Sequence, residues 1–167
     1  MAKTISFGLS AREVRNVKKQ LKEYKEEFML KVNKFAEALV LRGVEIAELN
    51  IAGFDAVFSS ELLSSIDFEA GDVITDGSRW IIYTDCEWAK YVEFGTGVIG
   101  NENPHPDTSL GNWKYDANNH GEAGWSYYKD GEWHHTKGMP SRPFMYETGI
   151  ELADVVIETA KEVFNSD

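Results

Sequence analysis

The sequence predicts an α+β fold, and three observations carry that prediction. A helical-period apolar stripe runs through the first fifty residues, strand-like runs punctuated by Asp-Gly follow, and a second amphipathic helix closes the chain. The expected arrangement is a long N-terminal helix, an antiparallel sheet with hairpins, a long loop, and a C-terminal helix packed on the sheet. At 167 residues one domain is the default. A chain of this size buries about 70% of its unfolded surface, so it needs no covalent staple. The expected division is a helical arm over 1–53, strands over 54–94, a long loop with an aromatic hairpin over 95–138, and a final helix over 139–167.

Ser10 is a good N-cap, and apolar residues then recur at Val14, Val17, Leu21, Tyr24, Phe28, Val32, Phe35 and Leu39. Gly43 is expected to end or kink this helix, with VEIAELNIA continuing as a short helix to Gly53. Roughly thirty helical residues span about 45 Å at about 1.5 Å each. That is longer than a small domain covers, so part of the helix is expected to pack on another subunit. A second face carries Arg12, Arg15, Lys18, Lys19, Lys22 and Lys25. It reads either as a solvated face balancing Glu13, Glu23, Glu26 and Glu27, or as a docking stripe for an acidic partner or DNA.

In the middle, GDVIT and SRWIIYTD flank Asp76-Gly77, a two-residue hairpin signal because both turn positions take positive φ. Residues 56–66 read as a strand or a short helix. YVEF, 91–94, reads as a strand in which Glu93 alternates with Val92 and Phe94. GWSYYKDGEWHHT predicts a second hairpin around Asp130-Gly131. Between them, residues 95–123 are rich in glycine, asparagine and proline. A structureless loop that long is uncommon in a compact domain, so it is either functional or ordered on assembly. In the last helix Pro143 suits the first turn, with Glu147 and Glu151 near its positive end. Leu152, Val155, Val156, Ala160, Val163 and Phe164 form its apolar face.

Charge and chemistry narrow the function classes. Residues 1–42 hold ten Lys/Arg against five Asp/Glu, while 43–167 hold seven against twenty-three. An acidic body with a basic arm argues against nucleic-acid or membrane binding by the whole surface and suits head-to-tail contacts between copies. Cys86 is the only cysteine, which excludes an internal disulfide. The first twenty residues lack the apolar stretch of a signal peptide, and a soluble protein is expected.

Gly95, Gly97 and Gly100 fit the G-x-G-x-x-G spacing, but a dinucleotide turn must run into a helix and a parallel strand. NENPHPDTS follows instead, and its prolines are expected to block that helix; the glycines then serve a sharp turn as YVEF leaves the sheet. His105, His120, His134 and His135 lie on or beside the loop without zinc-helix spacing, and His134 and His135 would face opposite sides of a strand. No G-x-S-x-G turn is present, and nothing near Cys86 activates a thiol. No catalytic residue, cofactor or metal is expected. Glu93 and Arg142 read either as an ion pair tying the strand end to the last helix, or as two independent exposed charges.

AKYVEFGTG (89–97), the loop with NPHPD, the aromatic GWSYYKDGEWHHTKG and MPSRPFMYETG (139–149) together resemble the gene-product-ten-like family of tailed-phage minor structural proteins. The resemblance covers nearly the whole chain, and YVEFGTG with GMPSRPFM are its most specific parts. It implies a neck or tail-completion protein of the virion, made in the host cytoplasm. The implied assembly is a ring of about six or twelve copies between head-completion and tail proteins, with DNA passing through non-specifically and no membrane contact. Glu93 and Arg142 are then structural fasteners, Gly95 and Gly97 form the turn, and Pro143 and Phe144 belong to the second motif. Trp113, Trp125, Tyr127, Tyr128 and Trp133 are candidate contact residues. The rival readings are a metal- or nucleotide-dependent enzyme using His105 or His120, and a DNA-binding module using the basic helix.

Overall fold

Helix α1 (Ala11–Gly53) dominates the molecule, 43 residues that extend about 65 Å at about 1.5 Å per residue. The computed structural model describes residues 7–8, 10–54, 60–71, 79–111 and 113–165. Ser10 caps α1 as expected: the Glu13 N–H donates to Ser10 Oγ at 3.3 Å, and the Glu13 carboxylate accepts from the Ser10 N–H and hydroxyl. These bonds hold the Glu13 carboxyl below its ordinary pKa.

Gly43 neither ends nor kinks α1, contrary to the sequence expectation. A Cβ there would stand 2.3 Å from Ile82 Cδ1 and 3.2 Å from Leu152 Cδ2. Glycine is present so that a strand and the last helix can close on α1, an approach that offsets its helix cost of about 1 kcal/mol. Val40, Gly43, Ala47 and Ile51, at spacings of three and four residues, form the buried face of this half.

After the chain leaves α1, the described part of the ambiguous 56–66 segment forms a short helix α2 (Ser60–Ser64) and then enters a strand at Ile66. Strands β1 (Ile66–Ala70) and β2 (Trp80–Thr84) pair antiparallel, Ile66 opposite Thr84 and Ala70 opposite Trp80. The second arm of the expected hairpin is therefore right. The strand paired with it is IDFEA, and just beyond it the Gly71 N–H donates to Arg79 O at 2.8 Å; the rest of the expected first arm, GDVIT, lies outside the described residues. The Asp76-Gly77 turn lies outside the described residues.

YVEF is not a strand. It belongs to helix α3 (Ala89–Phe94), whose buried residues Ala89, Val92 and Glu93 follow helical spacing. Four residues are too few to separate period 2 from period 3.6, which is why the alternation misled. Among the described residues, the 54–94 region thus mixes two strands with two short helices.

The stretch 95–138 is largely structured. It contains helix α4 (Gly97–Glu102), single 3-10 turns at Thr108–Leu110 and Gly121–Ala123, and the expected aromatic hairpin of β3 (Trp125–Lys129) and β4 (Glu132–Thr136). At its turn Asp130 and Gly131 take φ values of 53° and 88°, as an Asp-Gly turn requires. A short strand β5 (Gly138–Met139) bridges back to Thr96 and Gly97.

Helix α5 (Phe144–Asn165) runs antiparallel along α1. Phe164 stacks near Phe28 and Phe35, at ring distances of 5.8 and 6.1 Å, while Asn50 Nδ2 donates to Thr148 Oγ1 near the other end. Arg42 pairs with Glu162 at 2.7 Å across the two helices. The expected apolar face of α5, Leu152 to Phe164, is the half-buried side. Ala47, Ile51, Leu62, Ile66, Cys86, Ala89, Val92 and Phe144 make one core shared by both helices and the first sheet. This is the α+β class read from the sequence. No helix among the described residues is long and apolar enough to cross a membrane.

Candidate functional site

The most organised polar group in the molecule is centred on Glu93, where three separate segments meet. Its carboxylate accepts the N–H of Met145 at 2.9 Å and of Tyr146 at 3.1 Å, the free amides at the start of α5. The third donor is the His105 ring, whose Nε2 lies 3.1 Å from Glu93 Oε1. His105 Nδ1 accepts the Asp107 N–H at 3.1 Å, which leaves Nε2 as the protonated nitrogen facing the carboxylate. Glu93 and His105 are both buried, with 8% and 4% of their surface exposed, so the charge is matched by directed donors and not by water. Pro104 and Pro106 flank His105 and restrict the backbone that presents it. Phe94 and Tyr146 pack against its ring.

Glu93 therefore does tie its own segment to the start of the last helix, but not through an ion pair with Arg142. Arg142 contributes its backbone N–H, which donates to Val92 O at 2.8 Å, while its guanidinium rests near Met139 Sδ at 4.0 Å. Geometry explains the difference: the helix start offers two aligned N–H groups at the place where the arginine fork was expected. Pro143 stands immediately before α5, its carbonyl accepting from the Glu147 N–H, and Phe144 is 1% exposed in the core.

The glycines act where chains cross. Gly95 has φ 80°, and a Cβ on it would lie 2.7 Å from the Ser141 nitrogen. Gly97 has φ 63°, and a Cβ there would meet Lys137 O at 2.3 Å. Their purpose is the close passage of residues 137–141 over the 95–97 turn, not an exit from a sheet. A helix does begin at Gly97, against expectation, but it lasts only six residues and follows helix α3 in place of a strand. The Gly97 N–H is already bonded to Tyr115 O, and both sheets among the described residues are antiparallel pairs, so the surroundings of a dinucleotide turn are not assembled.

The five aromatic candidates divide. Trp113 is a pin: its Nε1–H donates to Gly95 O at 2.9 Å and its ring packs on Phe94 and Tyr91. Trp125 stacks on His120 and Tyr127 on His134, both turned toward the body. Tyr128 and Trp133 pair edge-to-face on the opposite side of the hairpin and are 61% and 74% exposed. These two remain available for contact. His134 and His135 do face opposite sides, His135 Nδ1 lying 3.2 Å from Ser126 Oγ.

A cleft of about 790 Å³ separates this hairpin from α3, with Trp88, Tyr91, Trp125 and Tyr127 in its walls and Lys114 and Arg142 at its edges. Asp116 organises one side of it. Its carboxylate accepts the N–H groups of Gly121 at 2.7 Å and His120 at 2.8 Å, and these bonds hold its pKa below the ordinary aspartate value. Asp107 is lowered in the same way, by the Ser109 hydroxyl and N–H. Among the described residues no group of three or more His, Cys, Asp or Glu side chains is arranged to hold a metal ion.

The basic stripe lies on the exposed first half of α1, where Lys19 and Lys22 reach Glu23 and Glu26 at 3.7 Å each. Such exposed pairs contribute only a few tenths of a kcal/mol, about 0.3–0.5 each, and leave the face basic overall. Comparison with known proteins adds no kinship to this geometry: no family model, curated protein or solved structure matches the chain significantly.

Proposed function

We propose that the chain is a structural protein of the head–tail junction of a tailed phage, a neck or tail-completion component that assembles as a ring. The observation that carries this reading is the first half of α1. A well-packed body extends a helical arm whose apolar residues Val14, Leu21 and Tyr24 are about half exposed, beyond the point where Phe28 meets Phe164. Such a continuous apolar stripe calls for a partner. Opposite charge on the arm and body supports contacts between unlike surfaces of identical copies, the arrangement that closes into rings. The resemblance of YVEFGTG and GMPSRPFM to the gene-product-ten-like family supports the location in the virion. The Glu93 latch fits a structural role, since its polar atoms are consumed by holding three segments together and leave no acid or base free for chemistry.

In this role the body's excess of acid keeps duplex DNA from adhering as it passes. The test is a joining assay. Phage particles assembled without this chain should accumulate as separate DNA-filled heads and free tails, and adding the purified chain should join them. Normal joining in its absence contradicts the proposal.

A further inference from the structure

Two amphipathic helix faces of opposite charge are left uncovered by the described residues. The first is the arm of α1, residues 11–27, with its apolar stripe of Val14, Leu21 and Tyr24 continued by Phe28. The second is the outer side of α5, where Ile150 and Ile157 are 46% and 68% exposed. Glu147, Glu151, Asp154 and Glu158 lie beside those isoleucines, with Lys161 beyond them. We infer that the arm of one copy docks antiparallel on the outer face of α5 in a second copy of this chain, basic flank against acidic flank.

The orientation follows from helix geometry. At about 3.6 residues per turn, Lys18, Lys22 and Lys25 fall on one side of the arm's apolar stripe. Glu151, Asp154 and Glu158 fall on the same rotational side of the Ile150–Ile157 stripe. Two such helices placed stripe to stripe bring these flanks together only when they run antiparallel; parallel docking puts them on opposite sides of the seam. Lys18 and Lys25 are seven residues apart, as are Glu151 and Glu158, so Lys18 can meet Glu158 while Lys25 meets Glu151. The arm cannot reach this face within its own molecule, because α1 is one continuous helix whose arm runs past the end of α5. The contact joins unlike surfaces, so each copy has both an arm and an α5 face to offer, and successive contacts close into a ring where the rotation between copies returns on itself.

This inference rests on the ring reading and names its interface. The test uses the full chain and two exposed double variants, Lys18→Glu with Lys25→Glu and Glu151→Lys with Glu158→Lys, each checked by circular dichroism for an intact fold. Sedimentation velocity at rising protein concentration should show the wild type assembling at low salt and dissociating as salt screens the flanks. Each double variant alone should stay monomeric. Mixing the two variants should restore assembly, since each then supplies the complement of the other. A wild type that stays monomeric at several hundred micromolar overturns the inference, as does assembly unaffected by the α5 changes, which would mean arm-to-arm pairing. Retention of duplex DNA by the wild type, lost in the arm variant without any change in mass, also overturns it. If head–tail joining persists with the α5 variant, this interface falls while the proposed function stands.

Discussion

Residues 28–53 of α1 lay Val40, Gly43, Ala47 and Ile51 against the first sheet and α5, whereas residues 11–27 carry the same apolar period past the end of α5 into solvent. Among the described residues, one helix therefore contains a half covered by its own chain and a half that is not. An amphipathic period reports that a face is to be covered; it does not report which molecule covers it. The arm still persists as helix because propagation from the packed half avoids a new nucleus, and because Ser10 and Glu13 close its far end.

The largest expected effect lies in the packed half's surroundings. Glu93→Ala leaves the amides of Met145 and Tyr146 and the His105 ring without their acceptor, and should cost about 3 kcal/mol or more in urea unfolding. Glu93→Gln, which keeps an acceptor oxygen, should cost less. Equal and negligible losses would mean the latch holds nothing. Next comes Gly138→Ala. At φ 108° its Cβ would stand 1.8 Å from Thr96 O, backbone that cannot swing aside, so about 2 kcal/mol or more should be lost. The body should show these losses without any change in the arm's own helix.

Ser10→Ala sharpens the comparison from the other side. It should cost about 1 kcal/mol of local helix stability, seen as faster amide exchange in the first turns of α1, with the body's unfolding midpoint unmoved. A shifted midpoint would show the two halves to be coupled. The smallest effect is acid sensitivity at the cleft. Bonding from Gly121 and His120 depresses the folded-state pKa of Asp116, so its contribution is present above the ordinary aspartate value and is lost as pH falls through the lower folded one. Titration of His120 and Trp125 resonances should show this wall of the cleft loosening in that acid range. In Asp116→Asn that acid step should be gone.

Much of the architecture was legible because it depends on local rules. The Ser10 cap, the α1 stripe, the Asp130-Gly131 hairpin and the α5 face all follow from residue type and spacing within a few turns. What failed depends on distant chain. Gly43 reads as a helix stop until Ile82 and Leu152 are placed above it. Glu93 invites an arginine partner because backbone amides at a helix start have no residue letter, and His105 gives no local sign that it will turn inward. The aromatic hairpin was foreseen, but which of its rings face out was fixed by His120 and His134 stacking on the inner ones.

Hydrogen exchange followed by mass spectrometry, residue range by residue range at low and high protein concentration, tests the contrast between the two halves most directly. Amides of 40–53 should be protected at every concentration, while those of 11–27 should exchange rapidly in dilute protein and become protected, together with the outer face of α5, as copies associate. An arm that exchanges equally fast at all concentrations, or is as protected as the body when dilute, contradicts the account.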